Sequence, residues 1–246
     1  MNKLASKTAI VTGGSRGIGA NICTSLAAAG AKVVVNYARN QAAAEEVVSR
    51  IEAAGGQAIN VQADVSLAAD VRKLFDVAEQ EFGQVDILVN NAGVVHYKTI
   101  EVTTDEEFDR VMRVNVYGTF YGMREAATRL ADGGRVINLS SSAVRMMLPT
   151  YGPYCATKGA VEQMTRSFAK EMGPRGITVN AVSPGSTETE MFLGNNESEK
   201  IERMRNLAAL GRLGKVEDMG PVVVFLASED GGWGTGQVLP VNGGTA

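Results

Sequence analysis

The feature that most constrains the fold is a regular alternation of two kinds of segment along nearly the whole chain. Short, β-branched apolar runs are separated by longer stretches rich in Ala, Glu and Lys. Nearly continuous apolar runs are typical of strands whose two faces are both covered. Their alternation with helices predicts a parallel sheet with helices on both sides. The predicted strands are 8–12, 32–36, 58–62, 87–90, 135–140, 178–182 and 237–241, and the predicted helices are 17–29, 40–54, 67–82, 104–131, 153–172 and 215–228.

The alternation continues through the 246 residues without a linker, an internal repeat or a low-complexity segment. An α/β chain of this length fits one domain, so we predict a single domain over residues 1–246. One stretch, 185–214, departs from the pattern because it is polar and rich in Asn, Glu and Arg. A long irregular segment after a strand end predicts a lid, with one or two short helices around 197–209.

Composition excludes several classes of partner. The formal net charge is −3 and no basic run is present, so we expect no nucleic acid partner. No apolar stretch approaches the ~20 residues that cross a bilayer, so we expect no membrane span. The two cysteines, Cys23 and Cys155, fit a reducing compartment and have no second Cys or His at metal-ligand spacing, so we expect no bound metal. Residues 1–7 lack a signal-peptide core, which predicts a cytoplasmic protein.

A glycine-rich turn follows the first predicted strand and opens the first predicted helix. Its glycines, Gly13, Gly17 and Gly19, are spaced Gly-x-x-x-Gly-x-Gly, which departs from the usual Gly-x-Gly-x-x-Gly. Glycines here allow a tight turn and let backbone N–H groups approach a pyrophosphate, which the helix N-terminus also favours. The turn, with Ser15 and Arg16, therefore predicts dinucleotide binding.

The end of the second predicted strand indicates which dinucleotide. NAD sites usually carry an acid about 20 residues after the glycine turn, where it accepts from the ribose 2′-OH. Here Asn36 takes that place, and Tyr37 and Ala38 lead to Arg39. Arg16 adds a second cation, and an arginine binds a 2′-phosphate but offers nothing to a bare hydroxyl pair. The missing acid and the two arginines predict NADP(H).

Other strand ends also carry polar or small residues. Asp64, followed by Val65, ends the third strand, where a carboxylate can accept from an adenine amino group. Small residues after the fourth strand, in Asn90-Asn91-Ala92-Gly93, allow close approach of a cofactor. The turn after the sixth strand is placed to hold the nicotinamide end; it reads Ser183-Pro184-Gly185-Ser186-Thr187-Glu188-Thr189.

A candidate acid/base pair lies at the start of the predicted helix 153–172. Tyr154 and Lys158 are four residues apart and so share a helix face. A cation within about 4–6 Å lowers the pKa of a tyrosine from ~10 by roughly one to three units, which makes the phenol a usable acid or base. Ser141 follows the fifth strand at the same sheet edge. A Tyr-x-x-x-Lys pair alone is more often a solvated face, so the interpretation depends on the other strand ends.

Two further groups of residues are candidates for this site. Asn115 lies inside the predicted helix 104–131, where Asn is mildly unfavourable, so a specific hydrogen-bonding role is expected. His96 is the sole histidine, and we expect it to shape the mouth of a pocket instead of transferring protons. The predicted substrate pocket is apolar and Met-rich, which suits an adaptable site for bulky ketones; it contains Val94, Val95, His96, Ser141, Met146, Met147, Leu148, Tyr151, Met191 and Phe192.

These features together resemble the classical short-chain dehydrogenase/reductase family, over residues from about Lys7 to Gly244. The resemblance implies a Rossmann-like doubly wound domain built on a seven-stranded parallel sheet. The motifs that match in order and spacing are the Thr12-Gly-x-x-x-Gly-x-Gly turn, Asn90-Asn91-Ala92-Gly93, Asn115, Ser141, Tyr154-x-x-x-Lys158 and Pro184-Gly185.

The resemblance implies a role for each of four catalytic residues. Tyr154 would donate or accept the substrate proton, and Ser141 would hydrogen-bond the substrate oxygen. Lys158 would lower the pKa of Tyr154 and bind the nicotinamide ribose. Asn115 would hold a water that links Lys158 to solvent. The family pattern also implies cofactor contacts by Ile18 at the pyrophosphate, Asp64 and Val65 at the adenine, Asn91 and Gly93 at the ribose, and Thr189 at the carboxamide.

Within the family the chain looks most similar to 3-oxoacyl-[acyl-carrier-protein] reductases and related ketoreductases. One departure is Asn242, which stands where the family usually has Asp and is expected in a subunit contact region. An acyl carrier protein is a candidate partner, and Arg124, Arg129 and Lys170 could form its docking patch, although helix-surface charges are usually solvated. The resemblance further implies a homotetramer packed through helices 104–131 and 153–172.

The leading functional hypothesis is therefore NADPH-dependent reduction of a ketone or a 3-oxoacyl thioester to the secondary alcohol. A second hypothesis is an NAD-dependent alcohol or sugar dehydrogenase, which activity with NADH far above that with NADPH would favour. A third, from another class, is a non-catalytic dinucleotide sensor. Such a sensor needs no complete Ser–Tyr–Lys–Asn set, and this chain has all four.

Overall fold

One parallel sheet organises the protein. The computed structural model describes residues 2–246, and within them seven parallel strands follow the order β3-β2-β1-β4-β5-β6-β7. This order confirms the predicted fold class. The strands are β1 (Thr8–Val11), β2 (Lys32–Tyr37), β3 (Gln57–Gln62), β4 (Val85–Asn90), β5 (Leu130–Leu139), β6 (Thr178–Pro184) and β7 (Val238–Val241).

Helices connect successive strands and cover both faces of the sheet. No helix within residues 2–246 combines the length and apolar character needed to span a bilayer. The α-helices are α1 (Gly17–Ala28), α2 (Gln41–Ala53), α3 (Ala68–Phe82), α4 (Asp105–Met112), α5 (Gly118–Arg129), α6 (Ala143–Met146), α7 (Gly152–Met172), α8 (Glu190–Gly194), α9 (Ser198–Leu207) and α10 (Gly220–Ala227).

The core forms two layers because successive strand residues point to opposite faces of the sheet. Val11 of β1 faces the layer of α1, α2 and α10, where it packs with Ile22 and Val223. Ile10 faces the layer of α3, α5 and α7, where it joins Phe75 and Phe168. Both layers are apolar, which explains why the strands read as continuous apolar runs.

The strand order reverses direction between β1 and β4. Val11 lies opposite Val35 of β2 on one side and opposite Val89 of β4 on the other. The three strands therefore end at nearly the same level, and the loops that follow them diverge to opposite sides. In open α/β sheets, ligands bind in the crevice that this divergence creates.

The prediction of one continuous helix over 104–131 is wrong. A π-helical turn, Arg113–Tyr117, separates α4 from α5, and residues 130–131 already belong to β5. The Asn115 side chain at the centre of this π-turn bonds to the backbone of Val94, and its carbonyl accepts from the Thr119 hydroxyl at 2.9 Å. Tertiary bonds thus interrupt the α-helical ladder, and such π-bulges occur frequently at functional sites.

The two ends of the segment 185–214 lie side by side and are joined by backbone hydrogen bonds. The N–H of Glu188 donates to the Gly214 carbonyl at 2.8 Å, and the N–H of Gly214 donates to the Ser186 carbonyl at 2.9 Å. Between these points the chain forms α8 and α9. Helix α9 matches the prediction of one or two short helices around 197–209, and α8 precedes that range. That the segment 185–214 acts as a lid stays a prediction.

Candidate active site

A cavity of about 460 Å³ lies at the carboxyl edge of the sheet, lined from the loops after β1 to β6. All the residues predicted to contact the cofactor line it, from Gly13 in the first turn to Thr189 beside α8. Three of the four predicted catalytic residues, Ser141, Tyr154 and Lys158, line it too. The structure thus brings the two predicted sites into one continuous space, while the contacts themselves stay predictions.

Asn36 braces the glycine turn from the second strand. Its side chain is buried, and its Oδ1 accepts the N–H of Gly13 at 3.0 Å. Its Nδ2 donates to the Ala63 carbonyl at 3.0 Å, and its own carbonyl accepts the N–H of Gly14 at 2.8 Å. Asn36 therefore lines the cavity with an amide already committed to protein partners. The neighbouring Arg39 is exposed at the cavity rim.

The turn also packs against the loop after β4, which explains its glycines. A Cβ on Gly19 would lie 2.2 Å from the Gly13 carbonyl oxygen and 2.5 Å from Asn91 Nδ2. That Asn91 nitrogen donates to the carbonyls of Thr12 and Gly13 at 2.9 and 3.0 Å. Gly13 itself has φ +62°, a conformation that glycine adopts without strain. No larger residue fits at Gly19 without moving backbone.

The N-terminus of α1 fits the phosphates of a dinucleotide. The first turn of α1 receives no side-chain cap and contains no acid. Its backbone N–H groups and the helix dipole therefore favour an anion at this end. Arg16 precedes the helix in extended backbone and lines the cavity together with Arg39. The exposed Arg16 guanidinium lies 3.8 Å from Glu190 Oε2 of α8, a pair weak enough to rearrange.

Tyr154 lies in the first turn of α7, which Pro153 initiates, and lines the cavity together with Ser141, which follows β5. Burial raises the pKa of Tyr154 well above its ordinary value, and the nearby Ser141 hydroxyl offsets only part of this rise. Desolvation of the phenolate is the largest effect on this pKa in the cofactor-free protein. The expectation that Lys158 lowers the pKa of Tyr154 stays a prediction.

Lys158 lies one helical turn further along α7 and is buried at 5% exposure. Its Nζ donates to the Leu139 carbonyl at 2.7 Å and lies 6.0 Å from the centroid of the Tyr154 ring. Burial lowers the pKa of Lys158 to about 8. The ammonium is thus held near the phenol in a site that disfavours its charge.

Asn115 lies behind the cavity wall and joins this cluster from the π-turn. Its Oδ1 accepts the N–H of Val94 at 2.8 Å, and its Nδ2 donates to the Thr157 hydroxyl at 3.0 Å. A Cβ placed on Gly93 would lie 3.3 Å from Asn115 Oδ1 and 3.5 Å from Lys158 Nζ. Gly93 thus lies close to both side chains, and the water linking Lys158 to solvent stays a prediction.

Two flanking serines position Ser141, and sequence reasoning missed them. The Ser140 hydroxyl donates to the buried Glu162 of α7 at 2.8 Å. The Ser142 hydroxyl donates to the Ser183 carbonyl at 3.1 Å and accepts from Asn242 Nδ2 at 3.0 Å. These bonds fix the backbone on both sides of Ser141. The three consecutive serines, 140–142, were the sequence signal that could have indicated this. Asn242, which was expected at a subunit contact, bonds to Ser142 beside the site.

The substrate end of the cavity matches most of its predicted lining. Two predicted residues lie outside it. His96 forms a 3.0 Å hydrogen bond with the Thr103 hydroxyl, and Met147 is 84% exposed because its left-handed backbone, φ +49°, ends α6 and turns the side chain outward. The predicted residues that line it are Val94, Val95, Ser141, Met146, Leu148, Tyr151, Met191 and Phe192, and the lining residues not predicted include Tyr97, Arg110 and Met204.

Comparison with known proteins extends over nearly the whole chain. A family model described as enoyl-(acyl carrier protein) reductase matches residues 13–246. A short-chain type dehydrogenase/reductase of Picea abies is 48% identical over 98% of this chain and 93% of its own length. An NADPH-dependent aldehyde reductase-like chloroplastic protein of Arabidopsis thaliana is 45% identical over 98% of this chain and 94% of its own.

A solved structure gives the same fold. The angucycline C-6 ketoreductase LanV with bound NADP superposes with a TM-score of 0.94 and 41% identity. The match covers 99% of this chain and 96% of that chain.

Replacing Lys158 by Met tests its burial through the pH dependence of stability. The folded pKa, about 8, lies below the ordinary 10.5, so the unfolded chain holds this proton more tightly. The cost to folding is therefore full below pH 8 and disappears as the pH rises to 10.5. The free energy of unfolding of Lys158→Met minus that of the parent should thus be smaller at about pH 9.5 than at about pH 7. Urea unfolding measures both, and a pH-independent difference would contradict the burial.

Proposed function

Because the chain belongs to the short-chain dehydrogenase/reductase family, we propose that it is an oxidoreductase that uses NADPH to reduce a ketone to the secondary alcohol. The observation that carries this proposal is the placement of Tyr154, Ser141 and Lys158 in the same cavity as the glycine turn and the start of α1. Burial raises the pKa of Tyr154, so the phenol is suited to donate a proton in the cofactor-free protein. The two arginines at the cavity and the relative named NADPH-dependent favour reduction over the dehydrogenase hypothesis.

The chain's own residues supply the proton and orient the carbonyl. When bound, the reduced nicotinamide supplies a hydride for the carbonyl carbon. Ser141 donates a hydrogen bond to the carbonyl oxygen, and Tyr154 transfers its phenolic proton to the same atom. The phenolate left behind faces the Lys158 ammonium in a buried site, where opposite charges stabilise each other strongly. Asn115 and Gly93 border the space through which Tyr154 would be reprotonated.

Three features support NADP(H) over NAD(H). The end of β2 carries no acid to accept from a ribose 2′-hydroxyl, and Asn36 is engaged with Gly13 and Ala63. Arg16 and Arg39 border the cavity on the side of the glycine turn. The Arabidopsis relative is named NADPH-dependent, and the LanV structure holds NADP.

The lining of the substrate end supports a bulky, apolar ketone. Three flexible methionines, Met146, Met191 and Met204, join Phe192 and Leu148 there. Methionine adapts its shape to irregular ligands, so the pocket suits substrates of more than one shape. LanV is named a ketoreductase, in agreement with this class of substrate. A 3-oxoacyl thioester belongs to the same reaction class and is the second substrate to test.

A homotetramer fits the exposed apolar surface. Phe108 of α4 is 42% exposed, and Ile100, which lines the same surface pocket, is 80% exposed. Phe120 of α5 and Phe225 of α10 are each 45% exposed, and Trp233 is fully exposed. Large exposed apolar side chains are common at protein interfaces.

Light scattering of the purified protein should give the mass of four chains. Phe120→Glu, which places a charge on the exposed apolar surface of α5, should lower that mass. A single-chain mass for the parent would contradict the proposed assembly.

Replacing Tyr154 by Phe removes the proton donor while keeping the ring. The turnover number for ketone reduction should fall by about 10²- to 10⁴-fold, the usual contribution of a positioned acid. NADPH oxidation followed by absorbance measures this. NADPH binding, measured by fluorescence titration, should stay within about three-fold because the ring that packs beside the cofactor site is unchanged. Full activity of Tyr154→Phe would refute the assigned role.

Replacing Arg39 by Ala tests the choice of cofactor. The charge-assisted bond to a 2′-phosphate is lost, so KM for NADPH should rise about ten-fold or more while KM for NADH stays nearly constant. Arg50→Ala removes an exposed cation from α2, away from the cavity lining, and serves as the matched control. An equal rise in KM for NADPH and for NADH would contradict the proposed contact between Arg39 and the 2′-phosphate.

A further inference from the structure

We propose that Lys200 is a positioning residue that holds α9 over the substrate end of the cavity by a cation–π contact with Tyr97 and Tyr151. The contact is present in the cofactor-free protein. Its effect on substrate binding rests on the proposed ketone reduction, so the contact and its effect are tested separately.

The segment that carries α9 is attached to the body at its base by backbone bonds. The two hydrogen bonds between 186–188 and Gly214 close the base, and the Thr189 hydroxyl accepts the N–H of Phe192 at 3.1 Å to start α8. Leu210 donates its N–H to the Gly243 carbonyl at 3.1 Å on the return path. Helix α9 lies beyond these anchors, so side chains must fix its position.

Lys200 provides the contact at the tip of the segment. Its Nζ lies 4.5 Å from the centroid of the Tyr97 ring and 5.0 Å from that of Tyr151. Both distances are within the ~6 Å over which an ammonium is attracted to an aromatic face. The acid two residues further along, Glu202, pairs with Arg205 instead. Partial burial lowers the pKa of Lys200, while attraction to the ring faces favours its charged form.

The two rings connect α9 to the catalytic helix. Tyr97 and Tyr151 meet edge to face, with centroids 4.9 Å apart and planes at 62°. Both line the cavity. Tyr151 immediately precedes α7, and its carbonyl accepts the N–H of Cys155 at 2.8 Å. A cation held by these rings is therefore fixed relative to Tyr154.

One other contact agrees with this position of the helix. Met204 of α9 is 4% exposed and lines the cavity. The face of α9 that Lys200 and Met204 share therefore covers the substrate end. Loss of the Lys200 contact would let α9 move away and weaken ketone binding, while the glycine turn and the cofactor end would remain unchanged.

The test compares three variants of the full-length protein. Lys200→Met keeps the length of the side chain and removes the charge. Lys200→Arg keeps a cation that also stacks on aromatic faces. Arg203→Met removes an exposed cation from the same helix and is the matched control. Hydrogen–deuterium exchange of residues 198–207 in the cofactor-free protein gives a readout that needs no activity.

Lys200→Met should speed amide exchange in α9 by about 5-fold, the change expected for a partly desolvated cation–π contact. It should raise KM for a ketone by a similar factor, with kcat within about two-fold and NADPH affinity unchanged. Lys200→Arg should restore both readouts, and Arg203→Met should match the parent.

Exchange in Lys200→Met equal to that of the parent would overturn the proposal, whatever the activity. Faster exchange without a change in KM would overturn the positioning role in catalysis. If the parent reduces no ketone, the proposed function fails, and faster exchange in Lys200→Met alone then supports the contact.

Discussion

The parallel pairing of β1 with both β2 and β4 is the constraint on which the rest of the structure depends. It ends three strands at one level, so the loops that follow meet at a single edge. Thr12 then joins two of these loops, because its hydroxyl accepts the N–H groups of Asn91 and Ala92 at 3.0 Å each. Asn36 joins the third by accepting from Gly13. With the glycine turn held on both sides, the N-terminus of α1 opens into the same cavity as Tyr154 and Lys158.

Burial is the largest effect on the pKa values of Tyr154 and Lys158, the proposed catalytic pair. It disfavours charge on both groups, so it raises the pKa of Tyr154 and lowers that of Lys158 to about 8. Most Lys158 side chains are still charged at neutral pH, and the phenolate that forms after proton transfer would meet this cation in a dry site. In the proposed reaction the phenol would be a weak acid before proton transfer, and the lysine would act on the charge that appears during it.

Much of the fold and the cofactor end could be predicted from sequence, because local signals specify them. Nearly continuous apolar runs that alternate with helical stretches predict the sheet. The glycines at 13, 17 and 19 predict a tight turn that a pyrophosphate can approach closely. The π-turn at Asn115 was missed because it arises from bonds to Val94 and Thr157, which are distant in sequence. Met147 looked like pocket lining, but the left-handed backbone after α6 turns it to solvent. The contact of Lys200 with Tyr97 and Tyr151 brings together three separate segments, and no local pattern indicates it.

The central claim is that this cavity transfers a hydride from NADPH to a ketone carbon, with the proton supplied by Tyr154. The most direct measurement uses NADPH carrying deuterium at the transferring nicotinamide carbon, a panel of bulky ketones and a 3-oxoacyl thioester, and mass spectrometry of the alcohol formed. The account predicts one deuterium at the carbinol carbon for each NADPH consumed, with far slower turnover on NADH. Alcohol without deuterium, or turnover confined to alcohols or sugars with NAD⁺, would contradict it.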